Sequence, residues 1–236
     1  MQPWKFLAAT AGVVSLVGFA SATLSEELGS CVVDRSATAA AVVCAIAPGP
    51  GAKLVTLTVK TGTPEGVGPA TMTIDNPNAN PATKIVDLDE VNLVIEDDFA
   101  YGIWFQDINF DGYIDFAITE FLPAGPNALH LYWLFAPLSK RYIPNEELRK
   151  ITSPLFDPDR KRIGSQWRGG CCNHGATVYA WRGEFVVRIR DAECELVAEN
   201  SVETIKFSEW SELDGLSRPI ELDTYEACLV RLEGIK

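Results

Sequence analysis

Apolar and polar residues alternate with a period of two over several short segments of the chain. Residues 53–60 and 70–75 place apolar side chains at nearly every second position. Because the side chains of a β-strand point alternately to the two faces of a sheet, this alternation predicts half-buried strands. Strand signals of this kind recur over much of the chain at a spacing of about 8–12 residues, which is typical of all-β sandwiches and barrels.

Other segments predict strands through their content of β-branched and aromatic residues. They are residues 31–47 (one or two strands), 91–96, 102–105, 114–120, 128–136, 160–167, 175–181, 184–190, 195–207 and 221–232. Residues 144–150 are predicted to form one or two helical turns. We therefore predict an all-β fold of propeller-like or sandwich-like antiparallel sheets, without the strict internal repeat that identical propeller blades would require.

The beginning of the chain has the features of a secretory signal peptide. Lys5 precedes a largely apolar stretch at residues 6–19, which is shorter than the roughly 20 residues that a membrane span needs. Ala20-Ser21-Ala22 then forms a small-x-small cleavage site. We predict a signal peptide over residues 1–22, a single all-β domain over residues 23–236, and a periplasmic or secreted protein that has no membrane contact after cleavage. A lipoprotein attached through Cys31 is the alternative.

The chain is acidic, with 20 Lys and Arg residues against 32 Asp and Glu residues and a formal net charge of −12 at pH 7. Loss of Lys5 with the signal peptide makes the mature chain one unit more negative. A negative surface repels nucleic-acid phosphates, so we expect no nucleic-acid partner. A negative surface also attracts basic proteins by long-range electrostatic steering. The alternative is that the acidity only keeps a secreted protein soluble.

Six cysteines in a chain with a signal peptide indicate disulfides formed in an oxidising compartment. We expect Cys31 to pair with Cys44, because both lie in one N-terminal segment. Either Cys171 or Cys172 would then pair with Cys194.

The segment Asp-Ile-Asn-Phe-Asp-Gly-Tyr-Ile-Asp, residues 107–115, carries oxygen-bearing side chains at positions one, three, five and nine. Calcium takes roughly six to eight oxygen ligands, and glycine at position six permits the sharp turn that brings such ligands inward. The sequence therefore predicts a structural calcium site. Its ligands would be the side chains of Asp107, Asn109, Asp111 and Asp115 and the carbonyl of Tyr113.

This segment differs from a full EF-hand. Ile118 stands at position twelve, where an EF-hand has a bidentate Glu, and the flanking segments predict strands instead of helices. We therefore predict an EF-hand-like calcium loop between two strands. The alternative is a polar turn that binds no metal.

Catalytic motifs are missing from the sequence, so we expect a binding protein and not an enzyme. Neither a His-Glu-x-x-His zinc helix nor a Gly-x-Ser-x-Gly elbow occurs. The segment 165–170 joins two predicted strands and offers Trp167 and Arg168, residue types that dominate binding hot spots. The alternative is that Trp167, Tyr179 and Trp181 are core aromatics.

Several motifs in order resemble one family. The loop of residues 107–118 is followed by Leu-Tyr-Trp-Leu-Phe at residues 131–135, by Ser165-x-x-Arg168-x-Gly170, and by Tyr179-x-Trp181-x-Gly183. This order, which covers roughly residues 90–190, resembles the calcium-binding periplasmic immunity proteins of antibacterial type IV secretion systems. That family is related to the inhibitors of invertebrate-type lysozyme.

The resemblance implies a β-propeller-like inhibitor that binds and blocks a lysozyme-like peptidoglycan hydrolase by inserting a loop into its glycan groove. It suggests Ser165, Trp167, Arg168 and Tyr179 as partner-binding residues. The sequence lacks the Ser-Gly-x-x-Tyr signature of some lysozyme inhibitors, and this is a departure from the pattern of that family. The alternative functions are a calcium-dependent extracellular adhesion or carbohydrate-binding module and a secreted hydrolase.

Overall fold

Strands dominate the computed structural model, which describes residues 29–36, 38–96, 99–170, 173–199, 202–216, 219–222 and 224–235. The predicted signal peptide and the Cys171–Cys172 pair lie outside the described residues. The strands form several antiparallel sheets, so the predicted all-β class is confirmed. Among the described residues no sheet closes on itself, and no helix is long and apolar enough to cross a membrane.

The first sheet is an antiparallel meander of five strands in the order β1-β2-β3-β4-β5. The strands are β1 (Gly29–Arg35), β2 (Ala40–Ile46), β3 (Val55–Thr61), β4 (Val67–Asp75) and β5 (Thr83–Asn92). Cys31 and Cys44 are direct partners in the β1–β2 register and form a disulfide, with their Cα atoms 4.0 Å apart. The expected Cys31–Cys44 pairing is therefore confirmed.

The second sheet follows a short hairpin of β6 (Val94–Glu96) and β7 (Phe99–Tyr101). It has four strands in the order β11-β10-β9-β8. These are β8 (Ile103–Gln106), β9 (Asp115–Phe121), β10 (Leu129–Ala136) and β11 (Arg141–Pro144). A short helix, α1 (Glu146–Arg149), comes next, and Asn145 caps its N-terminus, so the predicted helical turns are confirmed.

The third sheet contains seven strands. They are β12 (Pro154–Asp157), β13 (Arg162–Arg168), β14 (Asn173–Arg182), β15 (Phe185–Glu199), β16 (Val202–Ser211), β17 (Gly215–Leu216) and β18 (Ile220–Leu222). The strands β12 to β17 are neighbours in chain order, and β18 pairs with β16. The helix α2 (Tyr225–Glu233) then packs on this sheet.

The second sheet is covered on both faces. Phe116 and Trp133 pack with Leu57 of the first sheet in one core cluster. Their chain neighbours Ala117 and Tyr132 point the other way and pack with residues of the third sheet in another cluster. Because successive strand residues face opposite sides, two covered faces explain why β10 is almost continuously apolar.

Two sequence predictions near the C-terminus are wrong. Residues 221–232 were expected to form a strand, but most of this segment belongs to α2. Thr224 caps the helix by accepting a hydrogen bond from the Ala227 N–H at 3.1 Å, and the buried Cys228 and Leu232 are spaced one helical turn apart. Cys194 pairs with Cys228 and not with Cys171 or Cys172, which fastens α2 to β15.

Candidate functional site

The acidic loop of residues 107–115 lies between β8 and β9, where the sequence predicted it. Its polar side chains fold the backbone by accepting hydrogen bonds from N–H groups further along the loop. Asp107 accepts from the N–H groups of Asp111 and Gly112, at 2.9 and 2.8 Å. Asn109 accepts from Asp111 at 3.2 Å, and Asp111 accepts from Tyr113 at 2.9 Å. The first seven positions therefore form one tight, internally bonded turn.

Two residues of this turn adopt the left-handed backbone region. Gly112 has a φ of 90°, and Phe110 has a φ of 61°. Glycine reaches this region at little cost, whereas the aromatic residue must be held there by its surroundings. Phe110 is held because its side chain packs in the core cluster between the second and third sheets.

Asp115 is completely buried, unlike the other acidic residues of the loop. One carboxylate oxygen accepts a hydrogen bond from the Ile108 N–H at 2.9 Å, and the other accepts one from Phe135 at 2.7 Å. Burial raises the pKa of Asp115 to about 7, and the nearby charges of Asp111 and Asp107 add to this effect. The two backbone N–H groups act in the opposite direction.

The donor chemistry of the loop suits a hard cation, because carboxylate, amide and carbonyl oxygens are the ligands of calcium. None of the ion pairs found among the described residues includes Asp115. A bound cation would offset the cost of burying this carboxylate. Within the same residues, however, no three His, Cys, Asp or Glu side chains converge as a ready metal site.

The acidic loop contacts all three large sheets. The Tyr113 ring lies against Gly49, in the turn that follows the first sheet's β2, and packs 5.5 Å from the Phe135 ring. Toward the third sheet, Trp181 Nε1–H donates to the Ile108 carbonyl at 3.2 Å. Lys161 Nζ donates to the carbonyl of Phe110 at 3.4 Å. The acidic loop therefore connects the three sheets through its own contacts, independently of any bound ligand.

The sequence analysis did not identify Lys161 and Trp181 as contacts of the acidic loop. Both belong to the third sheet region, more than 50 residues along the chain from their partners. Trp181 was named as a possible core aromatic and as part of the Tyr179-x-Trp181-x-Gly183 motif, and it does pack against the core cluster between the second and third sheets. Nothing local to either residue signals a contact with the loop.

The predicted partner-binding residues lie on β13 and β14 in different environments. Ser165 is buried, and its hydroxyl donates to the Thr152 carbonyl at 2.6 Å. Tyr179 is half-buried in the cluster between the second and third sheets, opposite Ile163 in the strand register. These two side chains therefore support the sheet and do not form an exposed surface.

Trp167 and Arg168 form the exposed end of β13, which we name the tip surface together with Gly169 and Gly170. The half-buried Trp167 indole lies across Gly175, its direct partner on β14. Arg168 is exposed, and its Nε–H donates to the Gly170 carbonyl at 2.6 Å. The arrangement places a half-buried aromatic ring beside an exposed guanidinium group that is held by the Gly170 carbonyl.

Asn127, in the connection between β9 and β10, holds the tip surface in place. Its side-chain oxygen accepts from the Arg168 N–H, and its side-chain amide donates to the Arg168 carbonyl, both at 2.8 Å. On β14, His174 is the direct partner of Arg168 and hydrogen-bonds through Nδ1 to the Tyr225 hydroxyl of α2. Asn127 therefore anchors the end of β13, and Tyr225 anchors the neighbouring end of β14.

Comparisons with known proteins give a distant structural likeness. No protein-family model matches the chain, and no curated protein matches it. A solved structure described as that of a Xanthomonas type IV secretion system related protein aligns with 86% of this chain and 97% of its own. The two share 17% sequence identity, and the TM-score is 0.44.

Proposed function

We propose that this chain is a periplasmic inhibitor or immunity protein that binds and blocks a lysozyme-like peptidoglycan hydrolase, and that it is not itself an enzyme. The ordered motifs over roughly residues 90–190 support this function, because their order resembles that of the type IV secretion immunity proteins. The predicted signal peptide and the two disulfides support a periplasmic or secreted location. The succession of antiparallel meanders supports the propeller-like arrangement that the resemblance implies.

The tip surface is the observation on which this proposal depends most. It joins a half-buried indole and an exposed guanidinium on a strand end that Asn127 fixes from outside the hairpin. Trp and Arg are the residue types that contribute most to binding hot spots. A pre-organised surface also loses less conformational entropy on binding than a flexible loop does. The tip surface is therefore the part we expect to enter the hydrolase.

The net charge supports the same kind of partner. At −12 the chain would attract a basic hydrolase at long range and accelerate the encounter. The same charge disfavours nucleic acid. Steering affects the association rate more than the final affinity, so we assign the specificity to the tip surface and the encounter to the acidic remainder of the molecule.

We further propose that the acidic loop binds calcium, with a structural role. The side chains of Asp107, Asn109, Asp111 and Asp115 and the carbonyl of Tyr113 would hold the ion. Asp115 is buried and takes part in none of the ion pairs among the described residues. The bound cation would supply a positive charge beside its carboxylate. Because the loop contacts all three large sheets, we expect calcium to stabilise their packing and not to touch the partner.

Inhibition of peptidoglycan lysis by a panel of lysozyme-like enzymes tests the proposed function. Arg168→Glu should weaken inhibition by about tenfold or more, because a hot-spot charge is reversed. Arg162→Glu is the matched control, since it makes the same charge change at the other, exposed end of β13. Equal inhibition by the two variants would show that the tip surface is not part of the interface.

The panel also distinguishes the alternative function, a calcium-dependent adhesion or carbohydrate-binding module. Such a protein would bind glycans on an array and leave every hydrolase of the panel active. Dose-dependent inhibition without independent glycan binding is the result that the inhibitor function predicts.

A further inference from the structure

The strand β5 has one side without a hydrogen-bonded neighbour. It is the last strand of the first sheet, and among the described residues it pairs with β4 alone, while β9 of the second sheet packs near it. A groove of about 390 Å³ runs beside it, and all seven residues from Lys84 to Glu90 line this groove. Because successive side chains point to opposite faces of a sheet, a groove that touches every residue in turn follows the edge of the strand. We call it the edge groove.

The second sheet and α1 form the other wall of the edge groove. Leu131, Trp133 and Pro144 provide an apolar part of that wall. On the β5 side, Ile85 leaves 66% of its surface exposed. The edge groove therefore combines an open strand edge with apolar side chains, which are the two elements needed to bind an extended peptide.

The charges of the edge groove are mainly negative. Its carboxylates are Asp87, Asp89, Glu90, Glu120 and Glu146, and its basic residues are Lys84 and Arg149. Arg149 already forms ion pairs with Glu120 and Glu146. The groove thus keeps a surplus of negative charge along the open edge.

We propose that β5 accepts an extended segment containing Lys or Arg from a protein partner, which adds to the first sheet as a further strand. Backbone hydrogen bonds would supply affinity, and the carboxylates would select basic side chains. A second copy of this chain is a poor occupant, because pairing β5 with itself would bring like charges together. This inference concerns a different surface from the tip surface and does not rest on the proposed inhibitor function.

Charged residues on an edge strand also protect proteins against unwanted strand pairing. Protection and peptide binding predict different responses to charge. A purely protective edge should reject every extended peptide, whereas the proposed site should accept a basic one and reject an acidic one.

Binding of two labelled ten-residue peptides by fluorescence anisotropy tests the proposal, with no hydrolase present. One alternates lysine with threonine and valine, and the other has glutamate in place of every lysine. The lysine peptide should bind and should slow amide hydrogen exchange in β5, whereas the glutamate peptide should not bind. Absence of lysine-peptide binding, or binding without slower exchange in β5, would overturn the proposal.

Charge variants locate the binding. Asp89→Lys combined with Glu90→Lys should weaken lysine-peptide binding by about tenfold or more, because both substitutions place like charge beside the peptide. Glu226→Lys combined with Glu233→Lys on the exposed part of α2 makes the same change in net charge and should leave binding nearly unchanged. An equal loss in both double variants would show attraction by net charge alone and would contradict a site at β5.

Proline variants test the backbone hydrogen bonds. Consecutive strand residues direct their N–H groups to opposite edges, so one of Ile85→Pro and Val86→Pro removes a donor from the open edge. The variant that retains the native circular dichroism spectrum should lose lysine-peptide binding. Unchanged binding by that variant would exclude strand addition, and the charge variants decide the case if neither proline variant folds.

Discussion

Gly175 determines where the Trp167 indole lies, because the indole packs directly on it. A substitution at Gly175 therefore tests the position of the indole. An added Cβ at Gly175 would collide with the indole atoms Cε2, Cζ2 and Nε1. The φ of Gly175 lies outside the left-handed region that disfavours side chains. The backbone therefore accepts alanine, and the strain of Gly175→Ala falls on the indole. The substitution should displace Trp167 from the tip surface without removing it.

The cost of this displacement follows from the packing of the strand pair. Forcing extra atoms into a packed site costs about 1–3 kcal/mol, so Gly175→Ala should lower the free energy of unfolding by that amount. Gly164→Ala on β13 is the matched control. Its Cβ would meet only the Leu155 carbonyl oxygen at 3.9 Å, an ordinary contact. We expect Gly164→Ala to change stability by less than about 0.5 kcal/mol.

A double-mutant cycle measured by urea unfolding isolates the collision. When Trp167 is already alanine, the methyl group at position 175 has no indole to displace, and Gly175→Ala should cost little. The coupling free energy should therefore be about 1–3 kcal/mol. Additive effects of Gly175→Ala and Trp167→Ala, within about 0.5 kcal/mol, would refute the packing argument. In lysis assays Gly175→Ala should weaken inhibition, whereas Gly164→Ala should not.

Three further predictions concern stability. Trp181→Phe should cost about 1 kcal/mol in urea unfolding, because the Ile108 carbonyl loses its indole donor, and an unchanged midpoint would contradict that role. Replacing Cys194 and Cys228 by alanine should cost about 4 kcal/mol, since the disulfide closes a sequence separation of 34 residues; a loss below about 1 kcal/mol would show little constraint on the unfolded chain. Burial lowers the pKa of His130 to about 4. The unfolded state therefore takes up the proton first, and stability should fall as the pH drops from about 6.5 toward 4, by about 3 kcal/mol in total. Between pH 7 and 4.5 the wild type should lose more stability than His130→Gln, and parallel losses would refute this assignment.

Local patterns predicted the acidic loop and its flanking strands because each signal lies within a few residues. The spacing of Asp107, Asn109 and Asp111 before Gly112 matches the turn that the loop forms. The apolar run at residues 128–136 predicted a strand, which is observed as β10. The sequence alone did not show that β10 is apolar because sheets cover both of its faces.

Other features were missed because they depend on distant residues. Most of β5 did not signal a strand, because its exposed, charged residues lack the apolar alternation of a half-buried strand. The helix α2 buries Cys228 against the third sheet, and only the fold brings Cys194 within bonding distance. Ser165 was expected to bind a partner, but β12 and the residues before it cover its side chain.

Lysis of peptidoglycan by lysozyme-like hydrolases, titrated with the mature chain in calcium and in chelator, tests the central claim most directly. We predict dose-dependent, saturable inhibition of at least one enzyme in calcium. Inhibition should weaken in chelator, because the acidic loop joins the sheets that position the tip surface. Full hydrolase activity across the panel in calcium would contradict the inhibitor function, and equal inhibition in chelator would contradict the structural role of calcium.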